Sequence, residues 1–261
     1  MPVLENLITE TARAISFLSR LPVPDRFFTG YDGSLRRTVA AFPLAGLVIA
    51  LPVALLLGLL SAARVEPVLV ALIAIALQVM LTGALHEDGL SDTADGLGGG
   101  RSREKALAIM KDSRIGTYGA LALILSVGFR VASLTILIAA LPAPSATLAV
   151  IATAVLSRTL LVWHWSSLPS ARTDGVAAAA GTPDADATRT GLALGAVLTA
   201  ALCLIALPFH AWFPAALLAL ATVSLFTRHV RNRLDGHTGD TIGASQQLCE
   251  SAFLLALAII V

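Results

Sequence analysis

Four of the chain's seventeen acidic residues fall within one short stretch, His86-Glu87-Asp88-Gly89-Leu90-Ser91-Asp92-Thr93-Ala94-Asp95-Gly96. On a helix, Asp92 lies about 40° from Asp88 and Asp95 about 20° from it on the other side, so three carboxylates share one narrow face. Left unpaired, they repel and raise one another's pKa. A hard divalent cation resolves this, and Mg²⁺ commonly binds through carboxylates together with substrate phosphates. Glu87 points elsewhere on the same helix and suits a supporting place behind the ion, which makes Glu87, Asp88, Asp92 and Asp95 the candidate metal group. His86 abuts the run and would donate to a carboxylate or bind phosphate. Gly98-Gly99-Gly100-Arg101 follows, and bare backbone at Gly98 and Gly99 suits contact with phosphate. The plainer meaning of a charge run is a solvated cap on a membrane helix. Its small neighbours Gly89, Ser91 and Thr93, and its position among otherwise basic segments, count against that reading.

Two further clusters complete the set. Lys111-Asp112-Ser113-Arg114-Ile115-Gly116-Thr117-Tyr118-Gly119 offers Lys111 and Arg114 as phosphate donors and Asp112 as a further carboxylate; as bland alternatives, the two cations simply set topology. Asp235-Gly236-His237-Thr238-Gly239-Asp240-Thr241-Ile242-Gly243 sets two carboxylates and an imidazole among small residues, with His237 as the histidine suited to proton transfer and a structural turn as the alternative. An acidic cluster with basic and glycine-rich companions is equipment for metal-assisted phosphoryl transfer. Nothing in the chain has Ser-His-Asp, Cys-His, zinc-ligand or Walker A spacing. Cys203 and Cys249 sit in apolar runs and read as small hydrophobes.

The elements that must position these clusters are membrane helices. Of 261 residues 56% are apolar and 13% charged, and the mean hydropathy is +0.82. A soluble domain carries roughly 25% charged residues. A helix crosses a bilayer with about 20 mainly apolar residues, which predicts seven spans: Ala40–Ala63, Pro67–Leu85, Gly119–Leu141, Ala146–Trp163, Gly191–Phe209, Trp212–Thr227 and Gly243–Val261. Barrel strands would alternate with period two, and these runs do not. The fold class is therefore all-α, a polytopic membrane helix bundle. With net charge +1, no global field recruits nucleic acid.

Fifteen of the eighteen Lys and Arg residues fall before the first span and in the loops after the second, fourth and sixth. Positive residues favour the cytoplasmic side, so the N-terminus and the three clusters are expected there and the C-terminus outside. No cleavable signal peptide is expected, since Glu5, Glu10 and Arg13 interrupt the N-terminal apolar residues. Residues 1–39 form a segment of their own ahead of a bundle over 40–261, whose active-site loops are 86–118 and 228–242. Within that segment Leu4, Leu7, Ile8, Ile15 and Leu18 recur at helical spacing, which suits either a helix at the membrane interface or one packed under the bundle. Ala171–Thr190 is low in complexity (Asp, Ala, Thr, Gly) and reads as a mobile cytoplasmic loop. Arg130, Arg158 and Glu250 fall within spans, where charge is functional by default; they pair, face a polar cavity, or lie nearer the interface than drawn.

At these residues the sequence resembles a known family. Gly83–Gly96 with Lys111–Gly119, Phe17-Leu18-Ser19-Arg20-Leu21-Pro22-Val23-Pro24, and Gly236–Asp240 with Glu250 are similar to the signature of the cobalamin synthases, the adenosylcobinamide-GDP ribazoletransferases. The resemblance implies a phosphotransferase of cobalamin biosynthesis in the bacterial inner membrane, joining adenosylcobinamide-GDP to α-ribazole or its 5′-phosphate with release of GMP and a need for Mg²⁺. It implies that Asp88, Asp92 and Asp95 hold Mg²⁺ against the pyrophosphate, that Lys111 and Arg114 neutralise phosphates, and that Asp240, Asp112 or His237 accepts the hydroxyl proton. A homo-oligomer or a complex with other corrinoid-assembly enzymes is a further expectation, and small-residue helix faces permit such contact. A CDP-alcohol phosphotransferase of lipid synthesis is the alternative enzyme. Its D-x2-D-G-x2-A-R pattern would need a three-residue first step and an Arg after Ala94, and its second half is missing. A transporter would place its ionisable groups near mid-bilayer, and most of these lie in loops.

Overall fold

Long apolar runs leave the backbone no partner but itself, and they fold here as helices. The structure, a computed structural model, describes residues 2–261, with side chains other than those at 2–5 and 176; Leu4 and Glu5 therefore fall outside the described side chains. The chain order is α1 (Pro2–Leu18), α2 (Phe42–Ala62), α3 (Pro67–Thr82), α4 (Leu85–Gly99), α5 (Arg103–Ile109), α6 (Thr117–Ala140), α7 (Ala143–Ser166), α8 (Val176–Ala180), α9 (Ala185–Ala206), α10 (Phe209–Leu234) and α11 (Gly239–Ile260). Two short 3₁₀ turns, Asp25–Phe28 and Thr38–Ala41, precede α2.

Among the described residues six helices are long and apolar enough to cross a membrane, and α3 with α4 makes a seventh only as a pair bent by 89°. The expected second span thus ends early, at Thr82. The cause is local: Gly83 and Ala84 are both left-handed, at φ 64° and 59°, and close the helix before α4 starts in a new direction. Left-handed backbone is ordinary for glycine and strained for alanine. A side chain at Gly83 would also collide with the Arg20 guanidinium. We read α4 as lying across the end of the bundle and not through it.

The central helix is α7, buried along most of its length and flanked by α2, α9 and α11. Small residues let the neighbours approach it. A Cβ at Gly46 would stand 2.7 Å from the Ala154 carbonyl oxygen, and one at Gly195 would collide with Thr159. Tight small-residue crossings are how membrane helices gain packing without a hydrophobic drive. The outward faces carry large apolar side chains, among them Leu55, Ile124, Val197, Ile205 and Leu225, as a lipid-facing surface must.

α1 packs under the bundle, with Ala14 and Leu18 buried against Phe42, Ala45 and Trp165. Three of the basic segments meet at one end of the bundle, where they clasp one another's carbonyls. Arg103 donates to Leu234 O and Ala171 O, Arg233 to Gly100 O at 2.6 Å, and Arg231 to Ser167 O at 2.9 Å.

Candidate functional site

α4 carries the acidic face, and two glycines set it against α11. A Cβ on Gly89 would lie 2.7 Å from the Asp240 carbonyl oxygen, and one on Gly243 would lie 3.3 Å from His86 Cα. The start of α11 is itself fixed by a capping box, in which Thr238 Oγ1 accepts the Thr241 N–H and Thr241 Oγ1 accepts the Thr238 N–H. Asp88 of α4 and Asp240 of α11 consequently line one cavity of ≈ 190 Å³. Asp92 faces the same group. Burial, then the charges of Asp88, Asp240 and Asp95, push its carboxyl up to about 6, against a pull from Arg172.

The helix wheel is right about the shared face and incomplete about its use. Asp95 is buried, and both its oxygens are occupied: Oδ2 accepts the Gly116 N–H at 2.7 Å and Oδ1 the Gly119 N–H at 2.9 Å. It ties down the chain entering α6, where free amides need an acceptor. Glu87 turns away from Asp88 into the bundle and meets Arg130. Gly98 and Gly99 lie in the last turn of α4, their amides within the helix, and a Cβ at Gly98 would press on the Tyr118 ring.

The basic companions do not line the cavity. Lys111 pairs with Asp174, and Arg114 with Asp112 at 2.6 Å, all four side chains being exposed. The Arg114 hydrogen bonds pull Asp112 down to about 2, which makes it a poor proton acceptor. His237 is buried, with an unpartnered Nδ1, and burial pushes it down to about 4, so it is neutral near pH 7. His86 is also buried and unpartnered at Nε2; burial, with Arg158 and Arg130 behind it, keeps it neutral.

Arg172 belongs to the site, although the sequence reading counts it only among the loop charges. Its Nη1 lies 3.5 Å from Asp240 Oδ2, its Nη2 donates to Leu107 O at 2.8 Å, and its buried Nε has no partner. The segment bearing it is also not the featureless loop expected. It is bridged in parallel to the α10–α11 turn, with His237 N–H donating to Pro169 O and Ala171 N–H to His237 O, both at 2.8 Å. It then forms α8, whose Ala177 lines the cavity. An arginine heading an Ala, Thr and Gly-rich loop is the available signal.

The intramembrane charges pair, and α6 starting at Thr117 leaves Arg130 mid-span. Arg130 Nη2 donates to Glu87 Oε1, and Arg158 Nη1 lies 3.8 Å from Glu250 Oε2. Gln246 and Gln247 link the pairs: Gln247 donates to Glu87 and to Gln246 Oε1, while Gln246 and Gln78 donate to Glu250.

Bundle and site together define a multi-pass membrane protein with carboxylate and arginine chemistry gathered at one end. Residues 10–258 match the family described as cobalamin-5-phosphate synthase, and the chain belongs to that family. It is a transferase. It is 54% identical over 256 residues to the adenosylcobinamide-GDP ribazoletransferase of Sinorhizobium medicae (strain WSM419), covering 96% of each chain. It is 53% identical over 261 residues to the protein of that name from Rhizobium meliloti (strain 1021), covering 99% of each, and 41% identical to that from Brucella canis, covering 97% of each. No solved structure matches the chain. The CDP-alcohol and transporter alternatives are set aside on these likenesses.

Proposed function

We propose that this chain transfers adenosylcobinamide phosphate from adenosylcobinamide-GDP to α-ribazole or its 5′-phosphate, releasing GMP, at the end of the bundle where Asp88, Asp92, Asp240 and Arg172 meet. The observation that carries the reading is this meeting of carboxylates from two helices with a half-buried guanidinium whose Nε has no partner. In the reaction, an acceptor ribose hydroxyl attacks the phosphorus that bears adenosylcobinamide. The P–O bond to the GMP moiety breaks, GMP leaves with the electron pair, and the hydroxyl proton goes to a base.

Asp240 is the base best supported. It lines the cavity beside Asp88, and Thr238 Oγ1 and Arg172 hold its Oδ2 at 3.2 and 3.5 Å. Arg172, with its Nε unpartnered, would donate to a phosphate oxygen as charge builds there. Lys111 and Arg114, exposed between α5 and α6, would attract the nucleotide electrostatically.

Among the described residues no three His, Cys, Asp or Glu side chains converge as a complete metal cage. Mg²⁺ needs none, since one or two carboxylates with substrate phosphates and water suffice. The donors fit, because Asp88 and Asp92 are hard oxygen ligands, and burial together with the charges of Asp88, Asp240 and Asp95 raises the Asp92 carboxyl. When bound by Asp88 and Asp92, Mg²⁺ would neutralise charge on the pyrophosphate. We further propose that the basic end faces the cytoplasm of a bacterial inner membrane, following the excess of Lys and Arg.

The reading is tested by incubating the purified chain with both substrates and measuring GMP, with Mg²⁺ and with chelator. GMP release that needs both substrates and Mg²⁺ supports it. Release without acceptor, or none from folded protein, overturns it.

A further inference from the structure

The cavity beside Asp88 and Asp240 is apolar and aromatic over most of its wall, which the phosphate chemistry does not require. Phe17 from α1, Phe42 from α2, Leu161 and Trp165 from α7, and Ile242 from α11 enclose it. The rings form a continuous surface: Phe17 and Phe42 are stacked at 6.1 Å and 25°, and Phe42 and Trp165 are 6.1 Å apart at 49°. Trp165 is 1% exposed, and its Nε1–H has no partner. A buried tryptophan N–H ordinarily finds an acceptor, so an unpartnered one in a cavity wall points to a missing ligand.

We infer that this cavity is the subsite for the acceptor's flat aromatic base, with Phe17, Phe42 and Trp165 as its specificity-determining residues. The inference rests on the transfer reading for the identity of the acceptor. Size supports it: a cavity of ≈ 190 Å³ is below the roughly 300–1,000 Å³ that holds a whole drug-sized ligand. It suits one fused ring system and excludes a corrin macrocycle. Polarity then chooses between the two bases in the reaction. Guanine carries several amide-like donors and acceptors, each costly to bury unpaired. A benzimidazole nucleoside base has carbon edges and one free ring nitrogen, an acceptor that matches the single indole N–H. With the base seated there, the ribose emerges at Asp88 and Asp240, where its hydroxyl must lose a proton. This also gives the Phe17-Leu18 motif of α1 a purpose, because both residues line the cavity.

The test uses the full chain in detergent and two variants. Trp165→Phe keeps the ring and removes the N–H. Leu85→Phe fills the cavity edge from a position that is 41% exposed, where added bulk is tolerated by the fold. Losing one neutral hydrogen bond should raise the KM for α-ribazole roughly fivefold, and crowding the pocket should raise it roughly tenfold. The KM for adenosylcobinamide-GDP should stay within about twofold. As a readout apart from turnover, benzimidazole alone should quench Trp165 fluorescence saturably in a Trp163→Phe, Trp212→Phe background, and more weakly when Leu85→Phe is added. A rise in donor KM with acceptor KM unmoved would assign the cavity to the donor. Unmoved KM values with no saturable quench would remove it from substrate binding, and in both cases wild-type GMP release would leave the transfer reading standing. Wild-type protein without GMP release would fail the transfer reading and this inference with it.

Discussion

Arg130 Nη2 donates to Glu87 Oε1 at 3.0 Å, and Gln247 Nε2 donates to the same oxygen at 3.1 Å. Arg130 is fully buried midway along α6, and Glu87 is 7% exposed and adjoins Asp88. These bonds fasten α4, bent by 89° from α3, to α6 and α11. Through Gln246 the network continues to Glu250 and Arg158, so that α3, α4, α6, α7 and α11 share one set of buried polar contacts. A charge in this setting is tolerated because its partner is there.

Removing either member should therefore harm more than removing both. Glu87→Leu or Arg130→Met alone leaves an uncompensated buried charge and should cost about 3–5 kcal/mol, whereas the double variant should recover most of that loss. Thermal unfolding in detergent measures it. Additive losses in the double variant would contradict the pairing.

Arg172→Ala should lower kcat/KM roughly 10- to 100-fold, the scale of a lost charge-assisted hydrogen bond at about 1.5–3 kcal/mol. Arg172→Lys should recover part of it, since Lys supplies the charge without the planar fork. Steady-state kinetics on both variants would show equal, wild-type-like values if Arg172 only closes the loop.

How far the sequence discloses this arrangement depends on the reach of each contact. The spans are legible because continuous apolar runs allow one solution in lipid, and even the intramembrane charges announce themselves. The break between α3 and α4 is not, because Ala84 adopts a left-handed conformation that its side chain disfavours. The shared face of Asp88, Asp92 and Asp95 follows from helical period. The diversion of Asp95 does not, because the amides it holds belong to Gly116 and Gly119, beyond α5. Arg172 and Asp240 are 68 positions apart, and no local pattern couples them. The cavity wall likewise draws Phe17, Phe42 and Trp165 from three distant helices.

Asp95→Asn tests that division of labour. An amide can accept one of the two backbone N–H groups through oxygen and offers no negative charge, so the α6 entrance should lose about 1–2 kcal/mol. Unfolding should move to lower temperature while the Mg²⁺ concentration for half-maximal activity stays near wild type. A large shift in that concentration would return Asp95 to the metal group.

The raised Asp92 pKa gives a pH dependence with a definite sign. Folding raises the carboxyl from 3.8 to about 6, so the metal-free native state holds this proton more tightly than the unfolded chain. Asp92's contribution to stability therefore declines as pH rises from about 4 to about 6. A cation must displace the same proton, so Mg²⁺ affinity should fall about tenfold per pH unit below 6 and level off above it. Thermal shifts on adding Mg²⁺ at pH 5 and pH 7.5 should be small and large respectively. Equal shifts would place the ion away from Asp92.

The most direct test compares wild type with Asp92→Asn and Asp88→Asn for Mg²⁺-dependent GMP release from adenosylcobinamide-GDP in the presence of α-ribazole. Circular dichroism and unfolding temperature would establish that each variant is folded. The arrangement predicts release by wild type and its loss by more than about a hundredfold in both variants, the scale of removing a group that stabilises transition-state charge. Folded variants that release GMP at the wild-type rate would contradict a transfer site built on α4.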